Sequence, residues 1–434
     1  MRQRNPYRHL GTAISLMLVG ALASGCGGSS MGSSPMSVDP MPPNGPVAPG
    51  ASAPPAVMQA QQANTPVDPA IVMADNTFGL NLLQNLNSAA TGNVAIAPIS
   101  IAMALQIVYN GAGGATQQGM AQTLQLDAMS TQELNDANAA LQGSLLNPDP
   151  QVQITIANSL WMHLGTPNSV PAAFTQMDQT YYGATIGDLA GAPDNVNSWV
   201  STETNGLITS ILPAANYESV VAVIANVIYF KGQWSNAFDP SLTAPAPFTL
   251  SDGTQATVPM MHQSAGYGFL MGANFQAVSI PYGAGRLSML AVMPNPGISL
   301  NSFVAGMTLS TLQGWIGQLQ TGFGSLSLPR FTTTCGASLV QPLIGLGMHA
   351  AFCRDPQVSF PGLDLDCIQD VEHKTVVQVD ETGTVAAGAT TVTLTPTAVQ
   401  APMFQITLDH PFLYAIRDDQ TGELLFIGTM MNPS

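Results

Sequence analysis

The sequence predicts an α+β domain from three observations. Helical periodicity is concentrated early, β-rich runs dominate later, and no second linker separates them. With 434 residues, 46% of them apolar, the chain can bury one extended core. Its compositional break comes early. Residues 27–70, including "MPPNGPVAPGASAPPA", lack a periodic apolar face and read as a Pro/Gly/Ser-rich disordered tether, leaving 71–434 as the domain.

The elements follow in order. "FGLNLLQNL" puts Phe78, Leu82, Leu83 and Leu86 on one helical face, and "SIAMALQIVYNGAGGAT" reads as a second helix ended by glycines. "VQITIANSLWM", "VVAVIANVIYFKG", "RLSMLAVMPN" and "GSLSLPRFTTT" are β-rich runs bounded by turn residues. "DNVNSWVSTETNGLITSIL" and "GASLVQPLIGLGMHAAF" between them read as helical. No internal repeat is found.

Residues 1–26 read as a signal peptide. Arg2, Arg4 and Arg8 precede "LGTAISLMLVGALASGC", which is too short and too rich in Ala and Gly for a membrane span. Ala23, Ser24 and Gly25 before Cys26, with Leu22 one step further back, resemble a bacterial lipobox, although Ala stands where an apolar residue is usual. That resemblance implies lipidation of Cys26 and a cell-envelope anchor; the alternative is an ordinary signal and a secreted, extracellular protein.

Removing those three arginines moves the net charge from −16 to −19 and leaves Lys231, Arg286, Arg330, Arg354, Lys374 and Arg417 as the only basic residues. Such a chain has no patch to neutralise phosphate or sulfate, so neither nucleic acid nor activation by heparin-like chains is expected. Export places Cys335, Cys353 and Cys367 where disulfides persist. Cys353 and Cys367 close the shortest loop and are the preferred pair, which spacing alone does not fix.

Catalytic patterns are weak throughout. Gly28-Ser29-Ser30-Met31-Gly32 matches a nucleophile elbow in form but lies in the tether, without the strand and helix such an elbow requires. "NGAGGAT" has no Lys and follows a helix, so it reads as a turn, not a phosphate loop. The six histidines are scattered singly, and neither an enzyme, a metal nor a cofactor is expected.

A series of stretches then points to one family. "NVAIAPISIAMAL", "IANSLWM", "NSWVSTETNGLI", "ANVIYFKGQWSNAFDPSLT", "VPMMHQ", "LPRF", "LGMHAAF", "VEHKTVVQVDETGT", "DHPFLYAIRD" and "GTMMNP" occur in this order. Together they resemble the serpins from about Val72 to Ser434. The resemblance implies three β-sheets, about nine helices, a metastable monomer and an exposed C-terminal reactive loop. It also implies a target serine protease that cleaves the loop, forms a covalent acyl complex and is trapped when the loop enters a sheet.

Carried over to this chain, the hinge begins at Glu381 and continues through Gly383, Thr384, Val385, Ala386, Ala387, Gly388, Ala389 and Thr390. The inward set of an inserted strand is then Thr384, Ala386, Gly388, Thr390, Val392 and Leu394, which holds no charge. Family spacing puts the reactive bond at Thr397-Ala398, flanked by Pro396 and Val399, within a register of one or two residues. A small uncharged residue there implies an elastase-like or subtilisin-like target.

Ser100, Asn226 and His373 match the polar cluster where the sheet opens, Trp234 the aromatic at the loop's entry, and Arg330 with Glu381 a charged pair beside it. Two departures stand out: Ala97 replaces a usual serine, and Val385 a usual glutamate. The rival reading is a non-inhibitory serpin acting as a binding or structural module. Non-inhibitory members tend to carry charged, bulky or proline residues in the hinge, and Gly383–Thr395 has none.

Overall fold

Asp68 starts the first helix: its carboxylate accepts the Ala70 N–H at 2.9 Å, and Pro69 follows where a missing N–H costs nothing. A computed structural model describes residues 65–126, 129–146, 148–164, 170–353, 355–363, 365–384 and 401–434. Its helices are α1 (Pro69–Ala89), α2 (Pro98–Tyr109), α3 (Gly114–Thr123), α4 (Thr131–Leu145), α5 (Ala172–Tyr181), α6 (Asp194–Glu203), α7 (Leu300–Ala305), α8 (Leu309–Gly317) and α9 (Val340–Gly345).

The first eight strands are β1 (Val94–Ile96), β2 (Val152–Met162), β3 (Thr185–Asp188), β4 (Ala222–Gln233), β5 (Ala244–Thr249), β6 (Gln255–Met271), β7 (Phe275–Tyr282) and β8 (Leu287–Pro294). The remainder are β9 (Gln320–Pro329), β10 (Phe331–Ser338), β11 (Asp370–Val379), β12 (Gly383–Thr384), β13 (Phe404–Thr407), β14 (Phe412–Asp418) and β15 (Leu424–Met430).

Six strands form one sheet in the order β10-β11-β12-β4-β2-β3. Nine form the other, β1-β15-β14-β8-β7-β6-β9-β13, with β5 added on β6. Among the described residues two continuous ladders thus stand where three sheets were expected, because β6 is 17 residues long and serves two groups of strands. It pairs with β5 and β9 up to Phe269 and with β7 from Gly268 to Met271. Divided at β6, the nine-stranded ladder yields the second and third sheets.

The main core lies between the ladders. Phe230 of β4 meets Tyr282 of β7 and Phe426 of β15 edge-on, with ring centroids 5.1 and 6.1 Å apart. All of α2 is buried, as an apolar run without a polar face requires. On the opposite face of the six-stranded sheet, Val196, Trp199 and Val200 of α6 cover Val223, Ala225 and Val227. β4 is therefore covered on both sides, which explains its continuously apolar sequence.

Three local expectations are corrected. α6 stops at Glu203, where Asn205 and Gly206 adopt φ of 51° and 77°, so "NGLITSIL" is not helical. In "GASLVQPLIGLGMHAAF" only Val340–Gly345 is α-helical; Gly347, at φ 112°, precedes a short 3₁₀ turn at His349–Ala351. "GSLSLPRFTTT" is two strands, not one: β9 ends at Pro329 in one ladder and β10 begins at Phe331 in the other. Arg330 occupies the crossing.

Candidate functional site

β4 and β11 run parallel and pair directly from Val223–Asp370 to Val227–Lys374. Beyond that point they diverge, and β12 enters between them. Thr384 lies opposite Val379 on one side and Gly232 on the other, with both pairings antiparallel. Ile228–Lys231 and Thr375–Gln378 thus flank the line along which a chain continuing beyond Thr384 would run. The sheet is a wedge, closed at one end and already occupied by two residues at the other.

The side chain of Thr384 points into the core. Its hydroxyl is 2.6 Å from Tyr282 Oη, and the residue is only 1% exposed. Gly383 has no room for a side chain, since a Cβ there would sit 2.0 Å from the Gly232 carbonyl oxygen. A glycine at 383 is thus a packing requirement, not a compositional accident.

Trp234 follows β4 and holds the entry from above. It stacks on Tyr282, with centroids 4.4 Å apart and planes 13° from parallel, and meets Phe238 edge-on. Its indole N–H donates to the Asp380 carbonyl at 2.9 Å, and its backbone N–H donates to the Thr382 carbonyl at 2.9 Å. The Phe238 N–H donates to the Glu381 carbonyl at 2.8 Å.

The Glu381 carboxylate is buried and accepts hydrogen bonds from Arg330 and, at 2.6 Å, from Thr243. Burial pushes this carboxyl up, but the bonds from Arg330 and Thr243 prevail and hold it below the usual glutamate range. Arg330 reaches the site because the backbone crosses from one ladder to the other at that residue. Its side chain remains 46% exposed, which limits the worth of the pair.

A second polar cluster lies lower in the closed part of the wedge. Asn226 Nδ2 donates to the Ser100 carbonyl and hydroxyl, each at 2.6 Å, and to Asn158 Oδ1 at 2.5 Å. His373 Nε2 accepts the Ala97 N–H at 3.3 Å, leaving Nδ1–H to donate to Asn226 Oδ1 at 2.8 Å. Burial pushes the imidazole down to about 3, so it is neutral at physiological pH. Ala97 supplies its backbone to this cluster in place of a hydroxyl.

The structure thus brings together Ser100, Asn226 and His373 in one group, and Trp234, Arg330, Glu381, Gly383 and Thr384 in another. A disulfide joins Cys353 to Cys367, with Cα atoms 4.9 Å apart. Val385, Ala386, Ala387, Gly388, Ala389, Thr390, Pro396, Thr397, Ala398, Val399 and Cys26 lie outside the described residues. Sequence reasoning missed Asn158, Tyr282, Thr243 and Asp380. A signal for Asn158 existed: Ile-Ala-Asn occurs in both "TIANS" and "VIANV", and the two asparagines pair across β2 and β4.

The site is thus a two-residue hinge wedged between parallel strands of one of two packed ladders, with buried polar residues joining those strands below it. The family model described as "Serpin (serine protease inhibitor)" matches residues 73–433, and the chain belongs to the serpin family. An uncharacterized serpin-like protein of Thermococcus kodakarensis is 31% identical over 381 residues, covering 84% of this chain and 86% of that one. Leukocyte elastase inhibitor A of Mus musculus is 30% identical over 380 residues, covering 83% and 98%. Among solved structures, the thermophilic serpin tengpin in its native state gives a TM-score of 0.76 at 28% identity, covering 85% of this chain and 95% of that one. Thyroxine-binding globulin complexed with thyroxine gives 0.73 at 26%, covering 84% and 99%.

Proposed function

We propose that this serpin is an irreversible suicide-substrate inhibitor of serine proteases. The observation that carries the reading is the pairing of Gly383–Thr384 between β4 and β11, with Thr384 facing inward. A loop cleaved beyond this point can continue in the same register, while its small uncharged sequence fits between the strands. About ten further residues, each gaining roughly 0.5–1.5 kcal/mol net from backbone pairing, would release energy comparable to a domain's stability. The uncleaved form is then metastable, held by a kinetic barrier.

Thr397-Ala398 is the proposed reactive bond, with Pro396 and Val399 beside it, and the proposed targets are elastase-like or subtilisin-like. The likeness to a leukocyte elastase inhibitor supports that preference. Export through residues 1–26, with Cys26 lipidated or the mature chain secreted, places the inhibitor outside the cytoplasm, acting as a monomer. The likeness to thyroxine-binding globulin favours a second reading, a non-inhibitory binding protein. Incubation of residues 27–434 with elastase and with subtilisin, followed by a denaturing gel, separates the two. A covalent complex and a released peptide beginning at Ala398 support inhibition; clean cleavage without a complex supports the alternative.

A further inference from the structure

We infer that Asp380 is a positioning residue for loop insertion, acting by keeping Gly383 and Thr384 inside the sheet before any cleavage occurs. This assignment rests on the strand-insertion reading above and adds the device that starts it. β11 ends at Val379 and β12 begins at Gly383, so the chain must reverse direction within Asp380–Thr382. Asp380 uses its N–H, its carbonyl and one carboxylate oxygen to hold that reversal.

Its N–H donates to the Gly383 carbonyl at 2.9 Å, while its own carbonyl is taken by the Trp234 indole. Amides that would otherwise look for that carbonyl turn to the side chain instead. Oδ1 accepts the Thr382 N–H at 2.8 Å, the Thr382 hydroxyl at 2.6 Å and the Gly383 N–H at 3.1 Å. One carboxylate oxygen thus gathers three donors on the inside of the turn.

The direction of the chain after the turn depends on these bonds. With the Thr382 and Gly383 amides held by Oδ1, Gly383 presses its backbone against Gly232 and Thr384 reaches Tyr282. Without them the turn is free to open, and insertion has to begin from a hinge outside the sheet. Cleavage would then be followed by a slower entry of the first pair, the step that the present arrangement has already completed.

The test compares wild type, Asp380→Ala and Asp380→Asn in residues 27–434. The loop is nicked and the growth of the heat-resistant fraction is followed in time, a readout of insertion that requires no trapped protease. Asp380→Ala should convert several-fold more slowly. Asp380→Asn, which retains the accepting oxygen, should convert within about twofold of wild type. Before nicking, the Thr382 and Gly383 amides should exchange roughly tenfold faster in the alanine variant alone.

A merely structural role would lower the unfolding midpoint and leave the conversion rate unchanged, and that result overturns the assignment. Equal slowing in the asparagine variant also overturns it, as does a wild type that never becomes heat-resistant. Conversion of wild type without any covalent protease complex removes the inhibitor reading and leaves the Asp380 comparison decisive.

Discussion

His373 donates from Nδ1 to Asn226 Oδ1 across 2.8 Å, at a position where β11 and β4 are direct neighbours. Any strand entering between them must break this bond. Continuing the register from Thr384, opposite Val379 and Gly232, brings Thr390 to the level of His373 and Asn226. The inserted form should therefore show Thr390 between these two residues, which a structure of the cleaved protein would reveal.

Asn226→Ala removes the acceptor for His373 and a partner of Ser100 and Asn158 in a buried place. The uncleaved form should lose about 1–3 kcal/mol, the cost of leaving such groups unpaired. The cleaved form, where an inserted strand would already have broken the His373–Asn226 bond, should lose less. Urea unfolding of both forms checks this, and equal losses would contradict the assignment of the bond to the uncleaved state.

Gly383→Ala should expel the hinge from the wedge, because its Cβ would meet the Gly232 carbonyl at 2.0 Å. The hinge N–H groups should lose protection from hydrogen exchange, and the unfolding midpoint should fall by an amount equivalent to about 1–3 kcal/mol. Unchanged exchange at Thr384 would mean that the close approach is relieved in some other way.

The large elements were legible because their periodicity was strong. "VQITIANSLWM" is the whole of β2, and Phe78, Leu82 and Leu83 are buried on α1 as their spacing implies. Helix ends were less legible: nothing in "TNGLITSIL" forbids helix except Asn205 and Gly206. At the site, Ser100, Asn226, His373, Trp234, Arg330 and Glu381 came from the family resemblance. Asp380 and Tyr282 could not be found that way, since their importance arises from a turn and from a contact across two sheets.

Alkaline pH should weaken the fold through a buried acid pair. Asn76 bonds to the Gly422 carbonyl and the Leu424 N–H, each at 2.9 Å, fixing Glu423 near Asp75. Burial pushes Asp75 up to about 8 against its bond from Gln106, and burial, then the charges of Asp75 and Asp418, push Glu423 up. Raised carboxyls stabilise fully below their unfolded values near 4, and that contribution disappears as pH rises through about 8. His373 has the opposite sense: its contribution is present above its unfolded value of 6.5 and disappears as pH falls toward about 3.

Between pH 6.5 and about 8 the acids therefore dominate, and stability should fall by about 1.4 kcal/mol per pH unit for each proton that unfolding releases. Urea midpoints across this window should decline less steeply in Glu423→Gln. The same slope in both proteins would show that the pair does not govern the alkaline limb.

Arg330→Ala deprives the Glu381 carboxylate of its charged partner but leaves the bond from Thr243. With Arg330 half exposed, the loss should be about 1 kcal/mol or less. Thermal unfolding of the single variants and of Arg330→Ala combined with Thr243→Val should show a penalty larger than their sum. Strict additivity would mean that the two donors do not share Glu381.

The most direct test of strand insertion is thermal unfolding before and after the reactive loop is cut. Cleavage should raise the unfolding midpoint by at least about 10 °C, as a release of order ten kcal/mol implies for a domain of this size. Thr384→Arg, which places a charge at the first inward position, should abolish most of that rise. A cleaved wild type that unfolds at or below the temperature of the intact protein would contradict strand insertion.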